Sequence, residues 1–190
     1  MKKFILPAFP ILENSRLRLR ALRPEDAANI FYLRADDAHN KYLHRTKAHT
    51  MEDALQFIDL VIRKVAEGAT LFWVIELKES AAFAGTILLW HNEDNTAETE
   101  TGYELLPQHQ GKGIMTEALG LVLVFAFTTL ALPAVTACIH KDNFSSIKLL
   151  RSHSFQFEGA VDECLYKFIL ASTPAEKISA ACIKNEDKYS

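Results

Sequence analysis

Residues 108–117, Gln-His-Gln-Gly-Lys-Gly-Ile-Met-Thr-Glu, constrain this chain more than any other stretch. Pro107 stands before them and a long apolar run follows. Gly111 and Gly113 can take a positive φ or let another group approach the backbone closely, which residues with a Cβ resist. A glycine turn that opens a helix points several N–H groups outward with the helix dipole behind them. That arrangement favours an anion such as a pyrophosphate.

The apolar run sets a second constraint. From Ala118 to Val135 there is no charged residue over 18 positions, near the lower length limit for a membrane-spanning helix. Thr128, Thr129 and Pro133 interrupt it, and a helix buried on more than one side reads equally apolar. With the anion-type turn directly in front, the reading is a buried helix over residues 114–131 and no membrane association.

A chain of 190 residues, 49% hydrophobic and 24% charged, suits one soluble domain with a real core. We place that domain at residues 1–171 and read 172–190, polar and weakly periodic, as a C-terminal tail or short docking helix. A formal net charge of −3 with no basic block argues against nucleic-acid binding. The three cysteines (Cys138, Cys164, Cys182) form neither a CxxC pair nor a disulfide framework, so a reducing, cytoplasmic setting is expected. The N-terminus opens like a signal peptide, but Pro7 and Pro10 break its short apolar stretch and Glu13 and Arg16 follow, so that reading is rejected.

Along the chain, residues 16–22 alternate strictly and predict a half-buried first strand. Pro24, Glu25 and Asp26 then open a helix to about Leu33. Residues 35–50 read as a loop or short broken helix. Thr50 and Asp53 resemble a capping box for a helix ending near Gly68. Residues 70–77 and 83–90 predict a hairpin around Lys78-Glu-Ser80, and residues 91–96 a further turn. Residues 99–106 read as the next strand. After the helix at 114–131 come a short buried strand at 134–139, a helix at 144–152 started by Asp142-Asn143, and closing strands at 155–157 and 163–170. This order predicts an α+β fold with a mixed, mostly antiparallel sheet of about six or seven strands flanked by helices.

Two phosphate motifs fail on the glycine turn. A P-loop needs Ser or Thr after Gly-Lys, where this chain has Gly113. A dinucleotide fingerprint needs a third glycine where Thr116 stands. What remains is Gln-x-x-Gly-x-Gly (Gln108, Gly111, Gly113), preceded by Gly102-Tyr-Glu-Leu-Leu-Pro107 and followed by Ile-Met-Thr-Glu-Ala118. It resembles the acetyl-CoA-binding motif of the GNAT N-acetyltransferases, in the branch that includes the ribosomal-protein N-terminal acetyltransferases. Downstream, Asn143-Phe-Ser-Ser146 followed by His153-Ser-Phe155 is similar to that branch's Asn-x-x-Ser helix and Gly-Phe pair, with Ser154 in place of the glycine. The similarity spans roughly residues 16–170.

The resemblance implies a GNAT-like sheet splayed between its fourth and fifth strands by a bulge, and acetyl-CoA as co-substrate with no metal. The N–H groups of Gln110, Gly111, Lys112, Gly113, Ile114 and Met115 would cradle the pyrophosphate. Leu105 and Leu106 would lie against the pantetheine arm on an edge opened by the bulge. An N–H near Leu105 could face the thioester carbonyl. Lys112 could meet a phosphate or simply be solvated. Asn143 could contact the cofactor arm, although it is also a strong N-cap. Ser146 stands where other branches carry a tyrosine acid, and acid, positioning group or bystander are all open readings.

Acetylating an amine requires a proton acceptor. By alternation Glu98, Glu100 and Glu104 share one strand face, with Thr99, Thr101 and Tyr103 on the other, unless a bulge shifts the phase. Glu100 is the leading candidate for base or ammonium anchor, with a solvated glutamate as the plain alternative. Tyr103 reads as packed, and Trp73 and Trp90 as core or groove wall. His39, His44 and His49 recur every five residues, which places them on no common helical face, and no HExxH occurs. His140 borders the cleft or simply caps its strand. Cys138 reads as buried and inert. The expected activity is acetyl transfer by direct attack to a primary amine, on a peptide N-terminus or a small molecule, with a non-catalytic CoA-binding module as the alternative. A homodimer is possible.

Overall fold

The alternation at Leu17 and Leu19 does build a strand with one apolar face, and the rest of the sheet is laid beside it. The computed structural model describes residues 3–43, 45–91 and 98–173, with only the backbone for residues 38 and 39. The strands are Leu12–Glu13 (β1), Leu17–Ala21 (β2), Thr70–Leu77 (β3), Ala82–His91 (β4), Thr99–Leu105 (β5), Ala134–His140 (β6), Gln156–Ala160 (β7) and Leu165–Ala171 (β8). The helices are Ala27–Ala35 (α1), Asp37–Asn40 (α2), Met51–Ala66 (α3), Ile114–Thr128 (α4) and Phe144–Ser152 (α5). One sheet runs in the order β1-β2-β3-β4-β5-β6-β8-β7. Every pairing is antiparallel except the central one between β5 and β6.

The sheet has eight strands rather than six or seven. The extra β1 is two residues long, too short to leave an alternation in the sequence. It also shifts the count, so the splay expected between the fourth and fifth strands falls between β5 and β6. Only Glu100 and Thr136 are paired there. The expected bulge is not on the β4 side, where the register is unbroken from His91↔Thr99 to Gly85↔Leu105. Alternation along β5 therefore holds. The turn expected at 91–96 and most of the tail lie outside the described residues.

Two cores cover the two sheet faces. Leu17, Trp73, Ile87 and Leu105 pack under α4 and α5 with Leu119, Val122 and Leu150. Phe72, Val74 and Leu106 pack under α1 and α3 with Ile30, Leu33 and Ile58. Helix α3 starts at the expected capping box: Asp53 N–H donates to Thr50 Oγ1 at 3.2 Å and Thr50 N–H to Asp53 Oδ2 at 2.9 Å. Helix α4 stops at Thr128, three residues short of the expected 131. Leu130 and Leu132 N–H turn back to Phe125 and Ala126 carbonyls, with Ala131 at φ 51 between them. Among the described residues no helix is long and apolar enough to cross a membrane.

One charged residue is buried where alternation alone placed it outside. Arg20 is only 8% exposed, gripped by Asp26 through two bonds at 2.8 and 2.9 Å and by Glu76 at 2.6 Å. This triad ties β2 to the chain entering α1 and to β3. Desolvated charges persist in a core only when paired in this way.

Candidate active site

The parting of β5 from β6 is the central feature of the site. At its root Thr136 Oγ1 donates to Thr99 O at 3.4 Å, and Glu100 pairs with Thr136. Beyond that point the two parallel strands share no partners, and a gap opens toward Leu105 on one side and His140 on the other. Leu106 N–H donates to Ala84 O at 2.9 Å, which sets the phase of the β4–β5 ladder. The main-chain groups of Tyr103 and Leu105 are then turned toward the gap.

At one end of the gap lies the glycine turn. Gly111 and Gly113 have φ of 70° and 75°, the left-handed region that glycine enters without strain. A Cβ added to either would meet nothing within 4 Å, so conformation rather than crowding demands glycine here. Among the described residues the N–H groups of Gly111, Lys112, Gly113, Ile114 and Met115 have no hydrogen-bond acceptor. They sit at the start of the 15-residue helix α4, where its dipole adds to their pull on an anion. The side chains of Ile114 and Met115 are buried in the core, so these two residues present only their main chain.

Gln110 departs from expectation. Its N–H is bound to Pro107 O at 3.2 Å, and its side-chain amide donates to Leu105 O at 3.1 Å. It shapes the turn instead of offering a donor. Leu106 likewise has its N–H engaged, and its side chain packs under α1 and α3. Lys112 is exposed, and its carbonyl accepts from Arg16 Nη1 at 3.0 Å. The same guanidinium pairs with Glu117 at 2.8 Å, while Asn14 holds the other Glu117 oxygen at 3.0 Å. Arg16 thus neutralises the one carboxylate on the first turn of α4, a role the sequence did not disclose.

On the face under α1 and α3, the β5 glutamates have different fates. Glu104 is held by both Arg45 nitrogens at 2.8 and 3.1 Å, which ties the 35–50 segment to the sheet. Glu98 is bound to Lys167 at 2.7 Å, and Lys167 also meets Glu158 at 2.9 Å. These two carboxylates hold the Lys167 ammonium well above its usual range. Glu100, beside Trp90 across the β4–β5 ladder, has no cation within salt-bridge distance among the described residues. Its Oε1 accepts the Cys138 N–H at 3.3 Å. Burial raises its pKa, and the Cys138 bonds pull it partly back. Cys138 is half-buried rather than fully buried. Desolvation and the neighbouring Glu100 push its thiol up to about 11, so it stays protonated and is a poor nucleophile. Tyr42 of the 35–50 segment packs against His140, ring centroids 5.1 Å apart and planes tilted by 34°.

On the opposite face, Asn143 Oδ1 accepts Ser146 N–H at 3.2 Å, the N-cap bond its residue type foretold. Ser146 is half-buried on the first turn of α5. Beside it lies the Tyr103 phenol, packed with the core under α4. Its hydroxyl is buried and meets no partner among the described residues. Burial pushes the phenol above its ordinary pKa, and the neighbouring Ser146 hydroxyl, outside ordinary hydrogen-bond geometry, pulls the other way. Among the described residues no group of histidines, cysteines or carboxylates is arranged to hold a metal.

A sheet split at one parallel pair, with open amides at a helix start on one side and a half-buried carboxylate on the other, is built to hold a phosphate-bearing carrier whose reactive end meets a second substrate. That layout defines an acyltransferase working from a CoA thioester. The acetyltransferase (GNAT) domain profile matches residues 16–156, and the chain belongs to that family. It is 30% identical over 159 residues to the uncharacterized N-acetyltransferase YoaA of Bacillus subtilis (strain 168), covering 84% of this chain and 90% of that one. The fold matches ribosomal-protein-S5-alanine acetyltransferase from Vibrio fischeri with a TM-score of 0.74 at 20% identity, covering 87% of this chain and 98% of that one. It also matches spermidine N-acetyltransferase from Vibrio cholerae, solved with CoA and spermine, with a TM-score of 0.74 at 21% identity, covering 87% and 99%. The protein is therefore a GNAT N-acetyltransferase that uses acetyl-CoA and an amine acceptor.

Proposed function

We propose that the acceptor is a single primary amine, the N-terminal amino group of a peptide, entering on the face under α1 and α3. One observation carries this reading. Of the three β5-side glutamates on that face, Glu98 and Glu104 are tied to Lys167 and Arg45, and Glu100 alone has no cation within salt-bridge distance among the described residues. One unpaired carboxylate suits one ammonium. A polyamine carries further charges that would each want a partner. A cytoplasmic setting goes with this reading and suits the free Cys138 and Cys164.

In this scheme acetyl-CoA supplies an activated acetyl group, and the chain supplies the rest. The amides of Gly111 to Met115 hold the pyrophosphate, with Lys112 free to reach a phosphate. Tyr103 and Leu105 present the open β5 edge to the arm, and the Asn143 side-chain amide is turned to the same task, its oxygen already capping α5. The Leu105 N–H faces the carbonyl oxygen as charge grows on it. Glu100 anchors the ammonium and takes its proton, directly or through water, so that the neutral amine attacks. Ser146 positions the leaving end. The protonated Cys138 offers no covalent route, which supports direct transfer.

The test is thiol release from acetyl-CoA across short peptides with free N-termini, the same peptides N-blocked, spermidine and spermine. Free peptides should exceed the polyamines in kcat/KM by at least about tenfold, and blocking should abolish the reaction. A preference for polyamines would overturn the assignment.

A further inference from the structure

A cation held in a partly dry wall costs free energy that a counter-ion recovers, and Arg34 is such a cation. It sits half-buried on the last turn of α1, its guanidinium over the Phe57 ring of α3 at 4.0 Å from the centroid. Burial and the neighbouring Arg45 both pull its pKa below the usual arginine value. Glu104 acts the other way, but both its carboxylate oxygens are held by Arg45. Among the described residues the Arg34 side chain makes one hydrogen bond, from Nη2 to Thr46 O at 3.1 Å. Most donors of its fork are therefore unused.

The same residue lines a cleft of about 440 Å³ between the 46–49 segment and one stripe of α3, a volume that suits a small molecule. Ala48, Phe57 and Leu60 give the cleft an apolar wall. Arg63 lines it too, six residues beyond Phe57 and so about 9 Å further along the helix axis. The other charges there are already engaged. Asp53 Oδ2 accepts the His49 and Thr50 N–H groups at 2.8 and 2.9 Å, and Lys47 pairs with Asp37. Neither Arg34 nor Arg63 is in a salt bridge among the described residues. The cleft thus joins a half-buried guanidinium, an apolar wall and an exposed second cation.

We propose that this cleft is a second binding site, for a small organic carboxylate whose apolar body lies on Phe57 and Leu60 while its oxygens meet the Arg34 fork. A guanidinium lying over a ring presents its N–H groups edge-on, and a planar carboxylate can accept two of them at once. One half-buried guanidinium against an apolar wall suits a single negative charge rather than the two of a phosphate monoester. The cleft is on the α1–α3 face, across the sheet from α4, and the proposal rests on neither the CoA reading nor the peptide reading. The carboxylate has two sources, a free acid or an acceptor amine that carries one, and kinetics separates them.

The experiment titrates the protein by calorimetry with benzoate, benzamide, benzylamine and phenyl phosphate, with and without saturating CoA. Benzoate should saturate with a Kd below about 1 mM. It should bind at least about tenfold more tightly than the neutral and cationic probes, and CoA should not change its affinity. Arg34→Gln should weaken benzoate by about tenfold, and the exposed Arg63→Gln by about two- to fivefold. Arg34→Lys keeps the charge and loses the fork, so it should also weaken benzoate, at an unchanged melting temperature. In thiol-release assays with a peptide acceptor, competition between benzoate and the amine would support the site with the carboxylate on the acceptor. Any other pattern beside saturable binding would support it with a free acid. Equal binding of benzoate and benzamide would overturn the proposal, as would tighter binding of phenyl phosphate. So would benzoate affinity unmoved by both Arg34 variants, or displacement of benzoate by CoA, which would place it at the glycine turn.

Discussion

The Glu100 carboxylate accepts the Cys138 N–H at 3.3 Å across the point where β5 and β6 part. This bond holds the carboxylate at the mouth of the gap, while burial keeps its pKa above the ordinary glutamate value. A base must be ionised to work, so kcat/KM should fall as pH drops through that raised value, and the acid limb should lie above the usual carboxylate range. Glu100→Gln should lower kcat by about a hundredfold and remove that limb. The stability sign is opposite. A folded pKa above the unfolded one means that the native state binds the proton more tightly, so this group's contribution falls as pH rises through the folded value. The uncharged glutamine should therefore melt no lower than wild type at neutral pH. A pH–rate profile and a thermal melt check both.

Gly111→Ala and Gly113→Ala should each impose about 1 kcal/mol of backbone strain, because φ of 70° and 75° suits no side chain with a Cβ. Relief by rotation would swing the open N–H groups off their common focus. KM for acetyl-CoA should rise by about tenfold with the amine KM unchanged. Steady-state kinetics with each substrate varied in turn distinguishes this from general damage.

Arg16→Ala should leave Glu117 as an unneutralised anion on the first turn of α4, next to the open amides. Acetyl-CoA would then bind a few-fold more weakly at low salt and less so at high salt, since the pair is partly solvated. Adding Glu117→Gln should restore the affinity. Calorimetric titrations of the three proteins at two ionic strengths test the pairing.

Ser154→Gly should stabilise the fold by about 1 kcal/mol, because Ser154 sits at φ 65° in the left-handed region. It closes α5, donating its N–H to Arg151 O at 3.0 Å, the place where the resembled motif has glycine. Urea denaturation measures the gain, and activity should be unaffected.

The parts legible in the sequence were those set by near neighbours. Leu17 and Leu19 announced a strand, Thr50 and Asp53 a capped helix, and Gly111 with Gly113 a left-handed turn before a buried helix. Asn143 was legible as a cap and capped as read. The two-residue β1 left no pattern, and α4 ended early because its closing bonds run back to Phe125 and Ala126. Arg20 looked exposed by alternation, since nothing local shows that Asp26 and Glu76 converge on it. Tyr103 read as packed, and its ring does pack on the core under α4 with its hydroxyl buried.

Periodicity and turn chemistry act over a few residues, so the chain's own pattern was enough to specify its strands, helices and anion-facing turn. Which donors stayed open and which carboxylate stayed unpaired depended on partners far along the chain: Glu117 on Arg16, 101 residues away, Glu104 on Arg45, 59 away, and Glu98 on Lys167, 69 away. Such pairings form only when packing brings the segments together and strips them of water. The raised pKa of Glu100 and its lack of a cation partner therefore came from folding, because desolvation and distant pairing both need the packed sheet.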